Sequence, residues 1–177
     1  QLGGFERFLI AVATAAALAA PSLLLGRTSP WRELSLWMRS GGGALLLFAC
    51  AASGSLPELG LRWIEAPGSA VLLLAVGMAV NLALARVAPS QSVASLHVVV
   101  NLVPLLIASQ NPISLALATL VTVAGLAVPL PQRQERHQLV VTWAYAAFQL
   151  WWLPASGALL AAADPERSFA LIGALVV

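Results

Sequence analysis

Residues 93 to 128 leave this chain few ways to fold. They form two uncharged apolar stretches, VASLHVVVNLVPLLIA and ISLALATLVTVAGLAV, joined by the polar hinge Ser109, Gln110, Asn111 and Pro112. Each stretch has roughly the length that crosses a ~30 Å hydrocarbon layer at about 1.5 Å per residue. The pair is therefore expected to be a membrane helical hairpin. Its strongly polar side chains are His97 and Asn101, four residues apart and so on one face of one helix. That face must meet protein or water, because lipid offers no hydrogen bonds.

Composition extends the same conclusion to the whole chain. Hydrophobic residues make up 60% and charged residues 9%, whereas soluble domains are about half apolar and a quarter charged. An all-α, polytopic transmembrane helical bundle follows, read as a single transmembrane domain over 1–177. The net charge of +2 is spread over several loops and forms no basic stripe, which excludes nucleic acid as a partner. Cys50 is a lone cysteine inside a span, and no Cys/His spacing holds a metal. The first span lacks a basic start, and AAALAAP around Ala20 is only a faint likeness of a signal-peptide cleavage site.

Taken in order, the expected spans are 8–25, 41–54, 69–86, the two hairpin stretches, and 139–162. Pro21 lies near the end of the first, and Pro104 sits inside the fourth, where it should free a carbonyl. The loop from Arg27 to Arg39 places Trp31 and Trp37 beside three arginines, and its helical spacing suits an amphipathic stretch lying at the membrane interface. Gly41, Gly42 and Gly43 open the second span, allowing close helix approach while weakening the helix. Asp164 and Pro165 read as a helix start, so a seventh span begins at Ser168. A half-crossed membrane leaves backbone groups unsatisfied, and the chain is therefore expected to be part of a longer one.

The arginines support this order of spans. Three of them (Arg7, Arg62 and Arg167) fall on one side, and six (Arg27, Arg32, Arg39, Arg86, Arg133 and Arg136) fall on the other. By the positive-inside rule, loops 26–40, 86–92 and 129–138 are cytoplasmic.

No catalytic constellation is visible, since no span carries a carboxylate and His137 is read as a loop residue. The candidates for a polar path at membrane depth are His97, Asn101, Asn81 and Gln149. For His97 the functional roles are a proton relay or an axial ligand to a pigment or haem. The structural role is an imidazole satisfied by a neighbouring helix. Single amides such as Asn81 and Gln149 more often join helices, at about 0.6 to 2 kcal/mol each. The aromatic set of the sixth span (Trp143, Tyr145, Phe148, Trp151 and Trp152) suits an interfacial belt or packing, and also stacking on a pigment, quinone or lipid. The residues themselves name no cofactor.

Three stretches resemble the first part of the antiporter-like membrane subunits of respiratory complex I, membrane hydrogenases and Mrp-type sodium/proton antiporters. They are LGLRWIEAPGSAVLLLAVGMAV, LLIASQNPISLALATL, and QERHQLVVTWAYAAFQLWWLPASGALLAAADPERSFALIGAL. The resemblance covers residues 59 to 176. It implies an integral membrane subunit of an ion-translocating or energy-converting complex, in a bacterial inner or thylakoid membrane and alongside other membrane subunits. That family pairs a Glu in its fifth helix with a Lys in its seventh. The Glu position falls at Leu120, which implies a scaffold that has lost the pump. A second resemblance, to drug/metabolite permeases, rests on ALARVAPSQSVASL, Pro104 and PISLALATLVTVAGLAV. A third reading is a structural subunit without transport that contacts pigment or lipid.

Overall fold

The computed structural model describes residues 2–25, 29–54, 61–107, 112–128 and 135–161. Among these residues the secondary structure is entirely helical: α1 (Gly4–Leu25), a short 3-10 turn (Ser29–Trp31), α2 (Arg32–Ala52), α3 (Pro67–Arg86), α4 (Gln91–Ile107), α5 (Pro112–Leu126) and α6 (Glu135–Ala161). The polar hinge up to Asn111, the stretch 129–134 and the expected seventh span from Ser168 lie outside the described residues.

The helix starts follow from local chemistry. At α1, the Glu6 carboxylate accepts from Gly3 N–H at 2.8 Å, satisfying one of the donors a helix leaves open. At α3, Pro67 occupies a first-turn position, where its missing N–H costs nothing. At α4, the Ser90 hydroxyl accepts from Val93 N–H at 3.4 Å.

Among the described residues three helices are long and apolar enough to cross a membrane: α1, α2 and α3. They make this an integral membrane protein. The count of six spans and a seventh begun is not reached on those criteria. The central hairpin consists of helices of 17 and 15 residues, roughly 26 and 22 Å long, both short of a ~30 Å core. The loop expected over 26–40 is also corrected. From Arg32 onward it is the first two turns of α2, and the three glycines continue that helix instead of starting it.

The described residues fall into two compact units, Gln1–Ala88 and Pro89–Val177. In the first unit α2 packs on both α1 and α3. A Cβ on Gly42 would come 2.8 Å from the Ala15 carbonyl oxygen, so α1 and α2 touch backbone to backbone there. On the α3 side, a Cβ on Gly77 would come 3.2 Å from both the Leu47 Cα and the Cys50 Cβ.

Ser53 then ties the returning chain to the end of α2. Its carbonyl accepts from the backbone N–H groups of Trp63 and Ile64 at 3.1 and 3.0 Å. Its hydroxyl accepts from the Trp63 indole Nε1 at 3.0 Å. Phe5 of α1 meets the same indole edge-on at 4.9 Å. Trp63 thus ties the start of α1 to the end of α2.

In the second unit α4, α5 and α6 pack pairwise. The contacts set α5 antiparallel to its neighbours, since Gly125 near its C-terminus meets Val98, and Thr119 meets Tyr145 at 2.6 Å. Pro104 is accommodated within α4 and buried.

The glycines give a paired test of this packing. Gly41→Ala, with open space around the new methyl group, is expected to stabilise the protein by about 0.5–1 kcal/mol through helix propensity. Gly42→Ala, pressed against the Ala15 backbone, is expected to cost about 1–3 kcal/mol. Melting curves of both variants in the same detergent check the opposite signs.

Candidate functional site

A buried polar group with bonds to two neighbouring helices is His137, which the sequence reading placed in a loop. It is the third residue of α6 and is fully buried. Its ring Nε2 lies 2.9 Å from the Gly125 carbonyl of α5, and its Nδ1 lies 2.9 Å from the Ser95 hydroxyl of α4. Its backbone N–H donates to the Gln91 side-chain oxygen at 3.2 Å. One residue of α6 therefore bonds to both other helices of its unit. Nε2 carries a proton, because a carbonyl can only accept.

The signal for this residue was present in the sequence as spacing. His137, Val141, Phe148 and Trp152 are all buried, and their intervals of four, seven and four residues trace one helix face. The charged neighbours Glu135 and Arg136 disguised it, because a helix can begin with polar residues that its interior excludes.

The hydrogen-bond chain is closed at both ends. The Ser95 hydroxyl has one hydrogen to share between His137 Nδ1 and the Gln91 backbone carbonyl, which lies 2.8 Å away, and the Gly125 carbonyl accepts a second bond from Val128 N–H at 3.1 Å. Carbonyls at each end cannot pass a proton on. The chemistry available to His137 is the joining of helices.

The expected polar-path residues are distributed between the units. His97 and Asn101 are both buried on α4, on one face as their spacing requires. Gln149 of α6 is half-buried in the same unit. Asn81 belongs to the first unit, where it is fully buried on α3 beside Gly43, whose Cβ would lie 2.8 Å from the Asn81 Oδ1.

Leu120, the position at which the sequence resemblance implied a glutamate, is 63% exposed on the outer side of α5. A carboxylate at that position would not reach the interior of this unit. Among the described residues, no three His, Cys, Asp or Glu side chains gather as a metal-binding set. The aromatic residues of α6 divide by face: Phe148 and Trp152 are buried, whereas Trp143 and Trp151 are exposed.

Compared with known proteins, the chain matches no family model, no curated protein and no solved structure.

The His137 connections yield a direct test. Ser95→Ala leaves a buried ring nitrogen without its partner and is expected to cost about 1–3 kcal/mol. His137→Ala adds a cavity and should cost about 2–5 kcal/mol. In the double variant the Ser95 contribution should largely vanish, which a double-mutant cycle from unfolding curves in detergent measures.

Proposed function

We propose that this chain is an integral membrane scaffold subunit of an ion-translocating or energy-converting complex, an antiporter-like helical bundle without a proton pump of its own. The supporting observation is how its polar and apolar groups are arranged. Buried polar side chains such as His137, Ser95 and Ser53 join one element to another. Large apolar side chains face outward, with Leu72 and Val76 on α3, Leu120 and Val123 on α5, and Leu139, Trp143 and Leu150 on α6 all exposed. In α1, Ala15 and Ser22 are the buried members among the described side chains, so most of that helix needs lipid or a neighbouring subunit around it. The outward position of Leu120 fits a scaffold from which the acidic residue has been lost.

In this reading α4, α5 and α6 also cross the membrane, the two short helices being completed by flanking residues or by local thinning of the bilayer. The six-arginine side, with the segments 26–40, 86–92 and 129–138, faces the cytoplasm of a bacterial inner or thylakoid membrane.

Affinity purification of the full chain from its native membrane tests the assignment. The expected result is a carbonate-resistant membrane protein that travels with redox, hydrogenase or other ion-translocating subunits, and a chain that travels alone refutes it. Within such a complex, His97→Phe is expected to leave proton flux within about twofold of wild type. A loss of about tenfold or more, roughly 1.4 kcal/mol of barrier, would instead make His97 a proton-handling group.

A further inference from the structure

An open groove of about 330 Å³ runs between α4 and α6, lined by Ser92, Ser95, Leu96, Val99, Arg136 and Val140 among others. Its lining changes character along its length. Ser92 and Arg136 lie in the first turns of α4 and α6, so both helices present their N-terminal, partially positive ends at the same place. Further along, Leu96 and Val99 of α4 and Val140 of α6 form an apolar wall. The axial distance from Ser92 to Val99 is about 10 Å at the helical rise.

The charge at the polar end is unopposed. Arg136 is the charged residue of the lining and makes no salt bridge among the described residues. Glu135, its neighbour in sequence, projects about 100° away around the helix and does not line the groove. On the inner side His137 holds the two helices in register through Gln91 and Ser95, which keeps the groove's two walls at a fixed separation.

We infer that this groove binds a phospholipid with a net negative headgroup. Arg136 and the Ser92 hydroxyl take the phosphate, with the Arg fork supplying charge-assisted hydrogen bonds. The first carbons of one acyl chain lie on Leu96, Val99 and Val140. The volume accommodates a phosphate and the start of a chain, and the rest of the lipid continues along the outer surface. A soluble phosphate compound would leave the apolar wall bare, and a zwitterionic lipid would carry its own cation to the Arg136 end. The inference rests on the membrane placement of the chain and not on its membership of a complex. On the proposed topology the groove opens on the arginine-rich side, the side on which anionic lipids meet basic pockets between helices.

The test uses the full chain, purified in detergent, delipidated, and titrated with phosphatidylglycerol or phosphatidylcholine while bound lipid is counted by native mass spectrometry. One phosphatidylglycerol per chain is expected, held about tenfold more tightly than phosphatidylcholine. Arg136→Gln should reduce that preference to less than about twofold, and Val99→Trp, which fills the apolar part, should weaken both lipids about tenfold. A preference that survives Arg136→Gln, or equal binding of the two lipids by wild type, overturns the proposal. So does displacement of the lipid by millimolar inorganic phosphate, which would mark a free-phosphate site. Melting curves of both variants confirm that they remain folded. A chain that fails to sediment with membranes after carbonate extraction would refute the membrane placement itself. A chain that sediments but does not discriminate lipids refutes only the groove.

Discussion

Among apolar helices in a lipid environment, burial cannot choose which faces meet, because an acyl chain solvates a leucine as well as another leucine does. Helix contacts must then be selected by close backbone approach and by polar groups that lipid cannot satisfy. Both units of this protein are organised by that constraint, and each relies on a different half of it.

The first unit relies mainly on approach. Gly42 sets the α2 backbone against Ala15 of α1, and Gly77 sets the α3 backbone against Leu47 and Cys50 of α2. Closeness of this kind multiplies dispersion contacts, each worth only about 0.1–0.2 kcal/mol. The polar additions sit at the end of the unit, where Ser53 gathers the returning chain and the Trp63 indole. The second unit relies on bonding. His137 of α6 bonds to both α4 and α5. Gly125 contributes twice there, lending its carbonyl to His137 and its missing side chain to Val98.

The proposed scaffold role draws on the sequence resemblance to antiporter-like subunits and on the arrangement of the second unit, where Leu120 faces outward and His137 bonds to α4 and α5. A scaffold role and a lipid-binding groove are compatible, since the His137 contacts that join α4 to α6 also hold the groove's walls apart at a fixed width.

The sequence by itself determined that the chain is helical, apolar and membrane-embedded, and it located all of the described helices to within a few residues at most ends. Those properties come from composition and local periodicity, which need no tertiary information. The same reading placed residues 32–40 in a loop, because Gly41 to Gly43 look like a helix start when considered alone. In the structure these glycines are the interior of a helix instead, Gly42 packed against Ala15 and Gly43 against Asn81. It also paired His97 with Asn101 correctly on one face, since four-residue spacing is a local property. What only the tertiary structure decided was which polar residue joins the helices. His137 lies beside two charged residues, and its burial depends on Ser95 and Gly125, 42 and 12 residues away in the chain. No local pattern ranks one buried polar group above another, because the ranking depends on which acceptors the fold brings within 3 Å.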